Sequence, residues 1–535
     1  MASEAFDLIV IGGGSAGCAM AARLSERQSL SVLLLEAGKS DRHPFTRIPA
    51  GNINAIQNPD FDWCYKTEPD PTIGGRADTW PAGKRLGGGS SFNGMMFIRG
   101  HQWDYDHWAE LGARGWDYAS VLPYFRRLES NERGGDDFRG ADGPQAVSEI
   151  RAVYPLTQMW LDAAVQAGVL RNPDLNGKSR EGAGLVQASQ KSGWRASTAA
   201  AYIWPNKNRR NLKVEMGAVV RRIVVEGGRA TGVEYERNGG RFTAQARRGV
   251  VLCAGAMNSP RLLMLSGIGP AAELAAHGIA AVRDLPGVGR NLQEHIGAHL
   301  VNDVTMTTLN SDVGALRGIA HVFNFFLNGR GALTTPIGHA QMFVRTRDSF
   351  PAPNVQIIFA PFAFDLDEQG KLKLRAEPSI SQAIGVMRPK ARGTVTLRSA
   401  DPHDAPVIRH RLLDDDDDLE QLIEGIQFAR RIVEQPALRS VVTGEVRPGA
   451  PLATREALRE FARMAAFPMY HPVGTCRIGT DQTSVADPDL RVHGIDGLWV
   501  ADASVMPSLP SGNTNATAIM IGDKGADHVL RTLTN

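Results

Sequence analysis

Phe6-Asp7-Leu8-Ile9-Val10-Ile11-Gly12-Gly13-Gly14-Ser15-Ala16-Gly17, followed by Ser31-Val32-Leu33-Leu34-Leu35-Glu36, is the stretch that decides the fold. It reads as apolar strand, glycine turn, helix, second strand and acid, the order of a dinucleotide-binding unit. Gly12 permits the tight turn, Gly14 lets the backbone approach a pyrophosphate, and Gly17 lets the helix pack closely on the strand. The helix that starts here offers free N–H groups and a partial positive charge to phosphates. Glu36 can take both hydroxyls of an adenosine ribose, and its charge repels a 2′-phosphate, which argues against NADP. The segment predicts an adenine dinucleotide without saying which one.

Around this unit lie 535 residues, too many for one core and enough for two or three domains. Composition is that of a globular protein, with 43% hydrophobic and 22% charged residues. The net charge of +2 and the lack of a basic stripe argue against nucleic acid as a partner. No apolar run is long enough to span a bilayer, and the first strand begins too early to leave room for a signal peptide. A cytoplasmic protein is expected, with peripheral attachment to the inner membrane left open. Cys18, Cys64, Cys253 and Cys476 have no paired spacing and read as reduced thiols. His295 and His299, just after Glu294, have the i, i+4 spacing of a helical metal site, but no third ligand is evident and no metal is expected. Asp414 to Asp418 precede an apolar helical pattern and read as its solvated, dipole-complementing entry.

Residues 40–130 are rich in glycine, proline and tryptophan and give no simple helix or strand pattern. Strands are predicted at Leu212–Val214, Val219–Val225, Gly232–Tyr235 and Val250–Cys253, then a helix near Ser259–Leu265. From 300 to 400 longer alternating stretches predict an antiparallel sheet, and a last helix is expected from about Thr517. The expected class is α/β (α+β): a Rossmann-like domain interleaved with a substrate domain built on an antiparallel sheet with helices. The expected boundaries give residues 1–155, 191–300 and 466–535 to the dinucleotide domain and 156–190 and 301–465 to the substrate domain.

Further motifs recur along the chain. They are Gly83–Asn93, Gly255–Gly269, Asp284–Gly289, Tyr470–Thr475, Asp502–Pro507 and Gly512–Asn515. In this order, and with the first fingerprint, they make the whole chain resemble the glucose–methanol–choline (GMC) flavoprotein oxidoreductases. Asn93–Gly100 with Asp104, Asp106 and Trp108 is most similar to the choline and polyethylene glycol dehydrogenase branches. The resemblance implies FAD, hydride-transfer chemistry and an alcohol substrate. It implies cofactor contacts at Gly12, Gly14, Ser15, Ala16, Gly17, Glu36, Ala37, Trp80, Arg85, Gly87, Gly88, Ser91, Asn93, Gly94 and Met95. It implies the same for Val219 and Val220 at the adenine, and for Ala254, Gly255, Asp502, Ala503, Asn513, Asn515 and Thr517. Relatives that bind flavin covalently carry histidine at the position of Phe92, so non-covalent FAD is expected here.

His471 and Asn513 are the residues to which the resemblance points for chemistry. A histidine is largely neutral at pH 7 and can take the hydroxyl proton, while an asparagine amide can orient the substrate oxygen. His339 and His493 read as structural. The expected reaction is oxidation of a primary alcohol, such as polyethylene glycol or an alkanol, to the aldehyde. Choline or an aryl alcohol is the alternative substrate, and a non-redox flavin lyase the alternative class. The electron acceptor, whether quinone, dye or oxygen, and the oligomeric state are not legible. No cationic-substrate cage is evident: the phenylalanines between 323 and 364 come without an acid that can be placed beside them.

Overall fold

The computed structural model describes residues 4–366, 372–449 and 454–533. Its frame is two seven-stranded sheets. In the first, Glu4–Ile11 lies between Val32–Glu36 and Gly240–Leu252, parallel to both. Leu212–Met216 extends it beyond Val32–Glu36, and Leu498–Val500 pairs with Gly240–Leu252, again in parallel. Val219–Glu226, Arg229–Arg237 and Gly240–Leu252 form an antiparallel meander whose last strand, at 13 residues, runs on into the parallel part. Val32–Glu36 is buried along its whole length, as expected of a strand covered on both faces.

Helix Ser15–Leu24 packs against the last helix, Asn515–Thr532, which returns the end of the chain to its beginning. A buried carboxylate fixes this contact, with Asp523 accepting from Arg23 Nε at 2.7 Å and from Arg127.

The second sheet is antiparallel, in the order Val442–Arg447, Ile296–Val304, Ser379–Val386, Val355–Ala360, Ala340–Val344, Gly182–Leu185. Phe467–Pro468 pairs with the start of Ile296–Val304. Alternation along these strands separates two faces. Ile296, Ala298 and Leu300, with Ile357, Phe359, Ile380 and Ile384, join Leu419, Leu422, Ile423 and Ile426 of helix Asp416–Val433 in one apolar core. The i, i+3, i+4, i+7 spacing of those four helical residues makes that match. The other face carries His299, Val301, Ile358, Ala360, Ser381 and Ala383 and is the floor of a cavity.

Three sequence expectations change. Residues 40–130 hold three α-helices, Pro44–Arg47, Gln102–Glu110 and Tyr118–Leu128, and the second is capped by the imidazole of His101, an uncommon choice that hid its start. The 300–400 region contains helix Ala315–Asn328 beside its strands. Asp415 caps helix Asp416–Val433, but Asp418 is buried, its carboxylate accepting from the N–H groups of Lys390 and Ala391. All four cysteines are free. No helix among the described residues is long and apolar enough to cross a membrane.

Candidate active site

One cavity of about 720 Å³ runs between the two sheets, from the glycine fingerprint to the antiparallel floor. Its first end is built from backbone. Gly12 sits at φ +95°, and a Cβ there would stand 2.6 Å from the Cys253 carbonyl oxygen. A Cβ on Gly88 would stand 2.7 Å from Gly14 Cα, so the second glycine stretch lies directly on the first. Gly89 and Gly255 line the cavity with nothing beside them, and side chains there would fill the cradle.

Helices Ser15–Leu24 and Asn515–Thr532 both begin at this cavity without a side-chain cap, and Ser15 Oγ donates to Asn515 Oδ1 at 2.6 Å between them. Two unsatisfied, positively polarised N-termini, a glycine-lined trough and the acid Glu36 on its wall suit a dinucleotide with a reducible ring that gains negative charge. Glu36 accepts from the N–H groups of Gly13 (2.8 Å) and Gly38 (2.6 Å), and burial raises its carboxyl above the usual range.

Most residues expected at the cofactor do line the cavity: Gly12, Gly14, Ser15, Ala16, Glu36, Ala37, Asn93, Gly94, Met95, Val219 and Val220. So do Ala254, Gly255, Asp502, Ala503, Asn513 and Asn515. Others stand behind the wall and support it. Gly17 admits the close approach to Gly12, and the Gly87 N–H donates to the Gly13 carbonyl at 2.6 Å. Gly88 backs Gly14, and Ser91 Oγ donates to the Leu86 carbonyl at 2.7 Å. Arg85 stacks on Phe61, Trp80 is buried edge-on to His410, and Thr517 is hydrogen-bonded to Tyr105 at 2.8 Å. Asp502 lines the cavity and also caps: it accepts from Gly255 N (2.8 Å) and Ser504 N (2.7 Å).

At the middle of the cavity His471 and Asn513 meet, with His471 Nε2 3.1 Å from Asn513 Nδ2. The amide is the donor in this pair, so Nε2 carries no proton and Nδ1 carries it. Nδ1 then donates to His295 Nδ1 at 2.9 Å. The main-chain N–H of His471 is held by both oxygens of buried Glu294, at 2.7 and 2.8 Å. Tyr470, one residue before, takes φ +66°, a strained conformation for a non-glycine residue and part of how the imidazole is aimed. Burial lowers the His471 pKa to about 4, leaving the ring neutral at physiological pH. Asn513 Oδ1 is buried with no partner among the described residues.

Glu294 and His295 are functional neighbours that the sequence reading missed, having weighed them only as metal ligands. Nothing local could reveal the pairing, because 176 residues separate His295 from His471. Glu294, His295 and His471 bring ligand atoms within 4.8 Å of one another. The two imidazoles, however, face each other across a hydrogen bond, and the carboxylate is occupied by main-chain N–H groups. The helical spacing expected for His295 and His299 is also corrected: His299 lies in strand Ile296–Val304 and His295 immediately before it. A four-residue step there separates them by roughly 13 Å, too far to share an ion. His339 and His493 lie away from the cavity, each with its own partners.

Two family profiles described as GMC oxidoreductase match residues 6–297 and 389–522. The chain is 41% identical over 527 residues to the oxygen-dependent choline dehydrogenase of Brucella suis biovar 1, covering 98% of this chain and 95% of that protein. The crystal structure of pyridoxine 4-oxidase from Mesorbium loti superposes with a TM-score of 0.88 at 29% identity, over 98% of this chain and 99% of that one. A formate oxidase of Aspergillus oryzae gives 0.92 at 25% identity, over 100% and 99%. Matches of this length place the chain in the GMC oxidoreductases, and it is an FAD-dependent enzyme acting on CH–OH groups.

Proposed function

We propose that this enzyme oxidises a primary alcohol to the aldehyde, with His471 as the base and Asn513 as the residue that orients the hydroxyl. Bound FAD supplies the hydride acceptor. The observation that carries the reading is the unprotonated Nε2 of a neutral, cavity-lining His471, held 3.1 Å from the Asn513 amide. The hydroxyl O–H breaks and its proton passes to Nε2. Nε2 has one lone pair, so the hydroxyl displaces the Asn513 amide from it before the proton moves, and the freed Nδ2 hydrogens donate to the substrate oxygen as negative charge grows there. His295 fixes the tautomer from behind, and Glu294 fixes the main chain. Gly12, Gly14, Ser15 and Ala16 would hold the pyrophosphate of FAD, Glu36 its ribose, and Val219 and Val220 the adenine.

The wall argues for a hydroxyl-terminated ether or alkanol over choline. Phe362 and Phe364 line the cavity and meet edge to face at 5.5 Å, yet among the described residues the lining carboxylates, Glu36 and Asp502, both belong to the dinucleotide end. A quaternary ammonium calls for aromatic faces and an acid together. The test is anaerobic bleaching of the flavin by polyethylene glycols, alkanols, benzyl alcohol and choline. Bleaching by alkanols or glycols ahead of choline is expected, whereas a flavin that no alcohol bleaches would favour the non-redox lyase. On admitting air, slow recovery marks a dehydrogenase and fast recovery an oxidase.

Phe92 lines the cavity and has no atom able to bond covalently to the flavin ring. Acid or heat precipitation should therefore release all the FAD into the supernatant. Yellow colour that stays with the washed protein pellet would contradict this.

A further inference from the structure

We propose that Arg447 and His299 form an anion-binding subsite at the far end of the substrate cavity, selecting hydroxyl-terminated chains that carry a carboxylate at the other end. The proposal rests on the reading of His471 as the place where the hydroxyl binds.

The cavity has two polar poles with an apolar stretch between them. His471 lies at one, bonded to His295. Four residues along the chain from His295, His299 lies at the other, and its ring stacks on Phe467 with centroids 4.5 Å apart. Phe467 is itself four residues before His471 and pairs with Ile296–Val304 at Gly297. Extended chain from His295 to His299 sets the poles roughly 13 Å apart. Met96, Ile358, Ala383 and Met469 supply apolar wall. An unbranched aliphatic body suits that span.

Arg447 ends the edge strand Val442–Arg447 and, among the described residues, is the only Arg, Lys, Asp or Glu that the antiparallel sheet contributes to the lining. Its hydrogen bonds both leave from Nη2, to Asp365 Oδ1 (3.2 Å) and to the Phe364 carbonyl (3.5 Å). Nε and Nη1 have no hydrogen-bond partner among the described residues. Asp365 also pairs with Arg375 and does not line the cavity. His299 is half-buried on the cavity floor and likewise makes no hydrogen bond among the described residues. Burial and the nearby Arg447 charge lower its pKa to about 4, so it offers one N–H from a neutral ring beside a permanent cation. That pair attracts a carboxylate and repels a quaternary ammonium. Arg447 is 39% exposed, so the attraction is solvated and weakens with salt.

The experiment uses the FAD-loaded enzyme and two readouts. In anaerobic turnover with an artificial dye, ω-hydroxyoctanoate, octanol, octanediol and choline are compared. The hydroxy acid should show a KM about 10-fold below octanol at low salt, the size of one charge-assisted hydrogen bond. Arg447→Gln should raise that KM by about 10-fold, with kcat and the octanol constants unchanged, as loss of uniform binding requires. Arg447→Lys should recover part of the preference. Octanoate, which has no hydroxyl to oxidise, is titrated against intrinsic tryptophan fluorescence, and should bind wild type about 10-fold more tightly than Arg447→Gln. Equal octanoate affinity in the two proteins, or no preference for the hydroxy acid over octanol, overturns the subsite. If no alcohol turns over while octanoate still discriminates, the His471 reading fails and the subsite stands.

Discussion

His471→Ala is expected to keep its FAD and its fold while losing at least ~10²-fold in the rate at which an alcohol bleaches the flavin, the range ascribed to a positioned base. The fold should survive because the main chain at this position, and not the imidazole, carries the bonds to Glu294. The flavin should survive because the cradle is made of glycines and helix ends elsewhere in the cavity. What disappears is the acceptor for the hydroxyl proton. The pH profile of wild type tests the same point. Burial places the His471 pKa at about 4, below the ordinary histidine value, so the basic form is the resting form at neutral pH. Bleaching rates should stay flat from roughly pH 8 to about pH 5 and fall as the proton enters Nε2. An alanine variant that holds FAD and bleaches at near wild-type rate would remove His471 from the mechanism.

Gly12→Val is expected to yield protein that is colourless even after incubation with FAD, with a lowered melting temperature. Two costs add at this residue. The backbone sits at φ +95°, which costs a side-chain-bearing residue about 1–2 kcal/mol. The new Cβ would also stand 2.6 Å from the Cys253 carbonyl oxygen and 2.9 Å from Ala254 Cα, both backbone atoms. They cannot give way, because Cys253 N donates to the Ile11 carbonyl at 2.7 Å and the strands on either side pair in register. Relief has to come from opening the turn, about another 1–3 kcal/mol, and the opened turn no longer follows a pyrophosphate. Gly75→Ala provides the control: φ there is +74° but nothing lies within 4 Å, so only the backbone cost applies and the flavin should remain. A yellow Gly12→Val protein with wild-type melting would show that the turn does not hold the dinucleotide.

The two experiments probe different kinds of information. The turn at Gly12 was legible because its causes are local. Strand, glycines, helix and Glu36 fall within about thirty residues, and each residue type is dictated by the backbone it must adopt. The meander from Val219 to Leu252 was legible for the same reason, its turns marked by Gly227-Gly228 and Gly239-Gly240. Helix Gln102–Glu110 was not, since a capping histidine is not a signal that propensity rewards. The Glu294–His295–His299 spacing misled because an i, i+4 pair looks the same in a helix and in a strand. Only strand pairing shows that His299 lies along the cavity floor.

By itself the sequence determined the dinucleotide unit, whose residue types the local backbone requires, and, through the family resemblance that its short motifs carry, His471 with Asn513 as candidates. Tertiary structure alone decided that His295 stands behind His471, that Glu294 grips its main chain, and that Arg447 shares a cavity with His299 across almost 150 residues of chain. Such groups meet only when two sheets close on one another, and no local preference along the chain encodes which side chains will face across the gap.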